Sequence, residues 1–185
     1  MTPLPRRGLL QAGLLLPLGW LLPALRAAPT PACDEGPTPP QTPGPFYQPR
    51  SPRRQSLLEA GIEGERLVLS GRVLDTDCRP LAGALLDFCH ADARGAYDNR
   101  GYRLRGHQYT DDQGHYRLET IRPGLYPGRT RHIHVLLMSA AGVRLTTQLY
   151  FPGEAQNARD WLFRPELLVG GTTAAPRFDF VLAAG

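Results

Sequence analysis

The chain has 185 residues, of which 42% are hydrophobic, 20 are Gly and 19 are Pro, and its formal net charge is +4. This length and apolar content allow one domain with a hydrophobic core, and they exclude intrinsic disorder, collagen and coiled coil. The positive excess comes from residues 1–32, which hold three arginines and no acid. The remainder is close to neutral, which excludes nucleic-acid binding.

Residues 1–32 have the layout of an export signal of the twin-arginine type. Arg6 and Arg7 precede an apolar run over residues 9–25, and a stretch of small residues follows it. Two prolines interrupt the run, which makes it a poor membrane-spanning helix. We therefore expect export to the periplasm or the medium, with membrane contact only through this signal or through a lipid on Cys33.

The chain has three cysteines, Cys33, Cys78 and Cys89. An oxidising destination allows one disulfide and leaves one cysteine over, and the sequence does not say which two pair. No CxxC or Cys/His ligand spacing is present, so zinc-finger chemistry is not indicated.

A proline-rich arm and linker occupies residues 33–66. Its centre, Thr38 to Tyr47, reads TPPQTPGPFY and is incompatible with a helix or a central strand. We expect this segment to be extended.

Residues 67–185 predict an all-β domain, an antiparallel β-sandwich with long loops. Short runs of strand-forming residues recur, bounded by Gly, Pro or Asp, with no helical pattern of 10–15 residues between them. The predicted strands are residues 67–74, 84–89, 115–120, 131–138, 144–151 and 177–182.

Two histidines share one face of a predicted strand. Residues two apart in a strand point to the same side, so His132 and His134 present two imidazoles to one space while Ile133 faces away. Imidazole is the commonest metal ligand, although histidines exposed on strands are also common. The pair is a candidate chelate.

Two tyrosines lie in turns near the same region. Tyr126 stands between Gly124 and Pro127-Gly128, and Tyr97 follows a strand and a Gly turn. A phenol has a pKa of about 10, so it binds metal at neutral pH only if a strongly charged cation removes its proton. The alternative is that both tyrosines are packing residues.

Five segments in order along the chain resemble the intradiol aromatic-ring-cleaving dioxygenases, especially the protocatechuate 3,4-dioxygenase subunits and the short secreted branch. The most specific is PGLYPGR followed by HIH. The five segments are residues 38–46, 92–97, 110–116, 120–135 and 147–151.

The resemblance implies one mononuclear, non-haem Fe(III) per chain. Its ligands would be Tyr97, Tyr126, His132 and His134, with Tyr126 leaving the metal when substrate binds and taking up a proton. The substrates would be O2 and a small aromatic diol of the catechol type. The ring would be cleaved between its two hydroxylated carbons to give a cis,cis-muconate-type product containing both oxygen atoms.

The resemblance also places residues around the substrate. Arg129 would stabilise negative charge developing on the ring, with Arg131 as the competing candidate. Gln148 matches a glutamine near the site, and its alternative is an ordinary polar strand residue. From the arm, Gly44, Pro45 and Phe46 would line the substrate pocket.

The chain departs from the protocatechuate enzymes at two positions where those enzymes carry tryptophan, here Gly128 and Cys89. Both changes remove aromatic bulk beside the site. His90, His107 and His115 lie outside the shared segments, and we expect structural or solvated roles for them.

Two other functions compete with ring cleavage. One is a secreted β-sandwich binding module in which the tyrosines and histidines are only packed. The other is a hydrolase with zinc on His132 and His134, although no third histidine or carboxylate lies nearby in sequence. A homo-oligomer is compatible with any of these functions.

Overall fold

The computed structural model describes residue 33 and residues 36–183. The predicted export signal, residues 1–32, lies outside this part of the chain. Within it, no helix has the length and apolar character that crossing a bilayer requires.

The described chain is almost entirely β-structure, as predicted. Its nine strands are β1 (Arg66–Asp75), β2 (Leu85–Cys89), β3 (Arg105–Tyr109), β4 (His115–Ile121), β5 (His132–Met138), β6 (Arg144–Tyr150), β7 (Gly170–Gly171), β8 (Pro176–Arg177) and β9 (Phe180–Leu182). Two short 3₁₀ helices, Ala155–Ala158 and Pro165–Leu167, lie between β6 and β7.

The strands form two sheets. The four-stranded sheet has the order β3-β2-β5-β6 and is antiparallel throughout. The five-stranded sheet has the order β4-β1-β8-β7, and β9 also pairs with β1. Both β8 and β9 run parallel to β1, so this sheet is mixed, whereas the sequence predicted an antiparallel arrangement.

The hydrophobic core lies between the two sheets. Strand β5 shows how alternation builds it, since Ile133, Val135 and Leu137 face inward and are fully buried. Burying a side chain of this size stabilises the fold by about 1.5–3 kcal/mol. The alternate residues of β5, among them His132 and His134, therefore project from the opposite face of the four-stranded sheet.

Strand β3 was not predicted, because Arg105–Tyr109 has no apolar alternation. Gly106 occupies an inward position, where a Cβ would lie 2.8 Å from side-chain atoms of Arg54 and Leu57. A further difference is that the predicted strand 177–182 is divided into β8 and β9. Between them, Asp179 accepts a hydrogen bond from the backbone N–H of Arg72 (2.7 Å).

The proline-rich arm crosses the outer face of the four-stranded sheet. At one edge the backbone N–H of Gln41 donates to the carbonyl of Thr146 (2.7 Å). At the other edge the N–H of Arg54 donates to the carbonyl of His107 (2.9 Å). The arm thereby covers the face from which His132 and His134 project, and this is why both histidines are buried.

The structure pairs Cys33 with Cys78, 45 residues apart, and leaves Cys89 buried as a free thiol. Because a cross-link of this length restricts the unfolded chain, we expect Cys78→Ser to lower the free energy of unfolding by about 2–4 kcal/mol. Urea unfolding with and without reductant measures this. Reductant should destabilise the wild type and leave Cys78→Ser unaffected, and equal unfolding midpoints for the oxidised and reduced wild type would contradict the pairing.

Candidate metal centre

Two imidazole nitrogens face each other on the outer side of β5. The Nε2 atoms of His132 and His134 are 3.2 Å apart, and both side chains are more than nine-tenths buried. Nitrogens bound to one ion at about 2.0–2.1 Å each stand about 3 Å apart, so this pair is arranged as a chelate would be.

The orientation of His132 is fixed by its other nitrogen. Nδ1 donates to the carbonyl of Thr130 (2.7 Å), which leaves the lone pair of Nε2 directed at the site. Burial lowers the pKa of His132 to about 4 and holds the pKa of His134 well below its usual value. Both imidazoles are therefore neutral at physiological pH, which is the form that binds metal.

A phenol oxygen joins the two nitrogens. The hydroxyl of Tyr97 donates to Nε2 of His132 (3.1 Å). Burial raises the pKa of the Tyr97 phenol, and the nearby Arg129 cation opposes that shift. Without a metal this tyrosine is a neutral donor, but a trivalent ion at the site would favour the phenolate.

Two glycines bring the tyrosine loops together. Gly95 has φ +87°, and a Cβ there would lie 2.1 Å from the carbonyl oxygen of Leu125. Gly124 donates its N–H to the carbonyl of Asp92 (2.8 Å), and a Cβ on Gly124 would lie 2.3 Å from the nitrogen of Gly95. Because neither position has a side chain, the loop before Tyr97 packs directly against the loop that carries Tyr126.

Tyr126 completes the group of aromatic residues. Its ring centroid is 5.8 Å from that of Tyr97, in an edge-to-face arrangement. Phe46 of the arm packs on both, stacked on Tyr97 at 4.6 Å and edge-on to Tyr126 at 5.4 Å. The structure thus places Tyr97 against His132 and packs Tyr126 on Tyr97, so contacts through Tyr97 link the four residues, which come from three separate segments.

The chemistry of the donors is compatible with a hard, highly charged ion. Within residues 36–183 and Cys33, no three His, Cys, Asp or Glu side chains are close enough to hold a metal. Besides the two imidazoles, the candidate metal donors at this site are the phenol oxygens of the tyrosines. A catalytic zinc site normally uses three ligands of the His, Cys or carboxylate type, so the zinc hydrolase alternative lacks its third ligand in the described chain.

Arg129 is held beside this group by a buried network. Its Nε donates to Oδ2 of Asp160 (2.9 Å), and its Nη2 donates to Oε1 of Gln148 (2.6 Å). The amide nitrogen of Gln148 donates in turn to the carbonyl of Thr42 in the arm (2.9 Å). Arg129 and Gln148 therefore lie together, linked to both the arm and the 151–169 loop.

Arg131, the competing arginine, has different partners. Its Nε pairs with Oε1 of Glu154 (3.0 Å), and its Nη1 donates to the carbonyl of Pro123 (2.5 Å). Glu154 also pairs with Arg122 (2.6 Å). Arg131 is thus engaged in an ion pair within the loops, whereas the Arg129 cation is close enough to help lower the pKa of both imidazoles.

The arm residues Gly44, Pro45 and Phe46 occupy three different environments. Phe46 contacts the tyrosine rings as described, and Pro45 is exposed. Gly44, at φ +72°, lies against a candidate metal ligand, since a Cβ there would be 3.0 Å from Cε1 and 3.4 Å from Nε2 of His134.

We expect Gly44→Ala to lower metal affinity at least ~10-fold, because the added methyl group would displace the His134 imidazole or lift the arm. Gly61→Ala is the matched control, since Gly61 has a similar φ of +77° and a Cβ there would meet nothing within 4 Å. Metal per chain after dialysis against a chelator measures the effect. Equal losses in the two variants would mean that backbone strain, rather than the contact with His134, is responsible.

Sequence reasoning missed Asp160, whose side chain is 1% exposed. Besides binding Arg129, its carboxylate accepts hydrogen bonds from the backbone N–H groups of Thr130 (2.8 Å) and Leu162 (2.9 Å). No local sequence pattern predicts this role for Asp160, because its partner Arg129 is 31 residues earlier in the chain.

The three other histidines have ordinary partners. Buried His90 hydrogen bonds to Thr120 Oγ1 (2.7 Å) and to its own neighbour's carbonyl. His107 bonds to the carbonyl of Ser51 (2.7 Å), and exposed His115 lies beside Asp111 (3.3 Å).

Comparison with known proteins finds similarity to dioxygenases. A family model described as "Dioxygenase" matches residues 42–167. The protocatechuate 3,4-dioxygenase beta chain of Burkholderia cepacia is 37% identical over 119 residues, covering 55% of this chain and 51% of that protein. The chain spans about half the length of the curated relatives it matches.

Solved structures cover more of the chain. The dioxygenase domain of a dioxygenase–carbohydrate-binding protein fusion from the cellulolytic bacterium Streptomyces sp. SirexAA-E superposes with a TM-score of 0.77 at 50% identity, over 81% of this chain and 100% of that domain. For 3-chlorocatechol 1,2-dioxygenase from Rhodococcus opacus 1CP the TM-score is 0.73 at 27% identity, over 80% of this chain and 73% of that one.

Proposed function

The chain belongs to the intradiol ring-cleavage dioxygenase family, and we propose that it binds one Fe(III) and cleaves a catechol-type ring with O2. Cleavage would fall between the two hydroxylated carbons and give a cis,cis-muconate-type product. The observation that supports this most is the approach of Tyr97 Oη and His134 Nε2 to His132 Nε2, at 3.1 and 3.2 Å.

The residues that would hold the ion are Tyr97, Tyr126, His132 and His134. When bound, a ferric ion supplies the positive charge that ionises phenols and withdraws electron density from an aromatic diol. The four ligands would then be two neutral imidazoles and two phenolates. The anionic oxygens of the phenolates favour Fe(III) over Fe(II). Tyr126 would also take up a proton from an incoming diol at its phenolate oxygen.

Arg129 is the candidate for stabilising negative charge on the ring. A guanidinium has five N–H donors, and the bonds to Asp160 and Gln148 use two of them. The remaining donors can serve an electron-rich ring in an environment where burial strengthens them. Gln148, fixed by Arg129 and the arm, would contact substrate through the same network.

The arm would form one wall of the substrate pocket. Phe46 presents a ring with no hydroxyl beside the two tyrosines, and its apolar surface would exclude water from the bound diol. Gly128, two residues after Tyr126, is exposed, and a Cβ there would contact nothing within 4 Å. We propose that the space left at Gly128 receives a ring substituent.

We also propose that the protein acts outside the cytoplasm. The pairing of Cys33 with Cys78 supports this, because disulfides persist in oxidising compartments. A thiol in a disulfide is not available for a lipid, so a lipid on Cys33 and this bridge exclude each other.

The test is to incubate iron-loaded protein with a panel of catechols and ¹⁸O2. We expect a muconate-type product that contains both labelled atoms. Uptake of a single labelled atom, or no cleavage of any catechol by protein with one iron per chain, would contradict the proposed reaction. A binding module would hold no stoichiometric iron.

A further inference from the structure

His134 has a polar atom that the rest of the site does not satisfy. Its Nδ1 is buried and has no hydrogen-bond partner in the described chain, whereas Nδ1 of His132 donates to Thr130. A buried polar atom without a hydrogen-bond partner costs about 1–3 kcal/mol, whether it is a donor or an acceptor. Imidazoles that bind metal through one nitrogen nearly always donate the other N–H to a carboxylate, a carbonyl or a water.

His134 lines a small cavity between the arm and the four-stranded sheet. The cavity measures about 10 Å³ and has polar walls from Asp87, Arg105 and Thr146. That volume is room for about one water molecule, which requires two to four polar partners. Cys89 forms another wall, and its small side chain leaves the cavity open.

Asp87 is the carboxylate best placed to complete such a bridge. It lies on β2 and His134 on β5, in a register that pairs Cys89 with His134 and Asp87 with Leu136. Asp87 and His134 are therefore diagonal neighbours on the same sheet face, at a Cβ separation of about 7 Å. This separation is too long for direct contact between short groups and suits one intervening water.

The carboxylate of Asp87 is held in place from the other side. Its Oδ1 accepts a hydrogen bond from the hydroxyl of Ser51 in the arm (2.7 Å), which leaves Oδ2 for another donor. Arg105 is only 2% exposed and turns its Nε and Nη2 to the carbonyl of Asp98. A cation at the cavity wall and a fixed carboxylate together favour an ordered water.

We propose that one water molecule in this cavity accepts the Nδ1–H of His134 and donates to Oδ2 of Asp87, which makes Asp87 a positioning residue for that imidazole. The inference rests on the proposed role of His134 as a metal ligand. The bridge would fix the ring with Nε2 towards the metal and raise the basicity of that nitrogen.

The first test compares Asp87→Asn with Glu119→Gln, which removes the same charge from the five-stranded sheet. We expect Asp87→Asn to weaken ferric affinity about 10-fold, measured by chelator competition, and to raise the Fe(III)/Fe(II) potential. Glu119→Gln should change neither. Wild-type affinity and potential in folded Asp87→Asn would overturn the proposal.

A second variant keeps the test open if Asp87→Asn fails to fold. Cys89→Leu fills the cavity and displaces the water while leaving Asp87 intact, so it should weaken ferric affinity in the same direction. Wild-type affinity in this variant would also overturn the proposal.

A crystal structure of the protein as purified provides the direct observation, whether or not metal is bound. An ordered water within hydrogen-bonding distance of both His134 Nδ1 and Asp87 Oδ2 is expected, and its absence refutes the bridge. If the bridge is present but catechols are not cleaved, the proposed function fails and this inference stands.

Discussion

Tyr97→Phe should abolish stoichiometric iron binding and lower ring-cleavage activity at least ~100-fold. Loss of an indirect partner of a metal ligand already costs about 10–100-fold in affinity or activity, and the loss of a direct donor should cost more. The ring of Phe would retain the stacking on Phe46, so the variant removes the oxygen without removing the packing.

The matched control is Tyr109→Phe, which removes a phenol oxygen from an exposed tyrosine on β3. Iron per chain and initial rates with a catechol are measured for both variants. Normal iron content in Tyr97→Phe would show that this phenol is not a ligand. Equal losses in both variants would point to a general effect on folding.

Asp160→Asn should lower the free energy of unfolding by about 3–5 kcal/mol, because it leaves the Arg129 cation buried without its counter-ion. The carboxylate is 1% exposed and the guanidinium side chain 14% exposed, so solvent offers little compensation. The same change should lower kcat about 10²–10³-fold, since Arg129 would no longer be held beside Gln148.

Urea unfolding and steady-state kinetics measure these two effects separately. Glu63→Gln is the control, because its ion pair with Arg94 is largely exposed and should contribute nothing measurable to stability. A kcat for Asp160→Asn close to that of the wild type would show that Arg129 does not depend on this partner.

The strands that alternate clearly were predictable from sequence. On β5, Ile133 and Val135 had to enter the core, and this placed His132 and His134 on the other face. Strand β3 was missed because its inward positions are Gly106 and Gln108, which give no apolar alternation, and the missing side chain of Gly106 makes room for the arm.

Pairings between distant segments were not predictable in the same way. Nothing local indicates that β8 and β9 pair with β1 in parallel. Gly71 of β1 explains part of that arrangement, since a Cβ there would lie 1.7 Å from the carbonyl oxygen of Phe178. The pairing of Cys33 with Cys78 was also not predictable, because it depends on where the arm lies in the folded chain.

In the candidate site, the candidate metal ligands could be predicted from the sequence, whereas the residues that hold them in place could not. The spacing of His132 and His134 and the Gly turns around Tyr97 and Tyr126 are visible in the sequence. Asp160 and Asp87 have hydrogen-bond partners far along the chain, Arg129 and Ser51 respectively. Only the folded structure shows that Asp160 binds Arg129 and that Asp87 lies on the same sheet face as His134.

The proposed function depends on four side chains holding one ferric ion. Its most direct test is to purify the protein, determine iron per chain and record the visible and resonance Raman spectra. We expect one iron per chain, a red colour from tyrosinate-to-Fe(III) charge transfer, and tyrosinate vibrations enhanced in that band. A colourless protein that takes up no ferric iron, or an iron-bound protein without tyrosinate vibrations, would contradict the account.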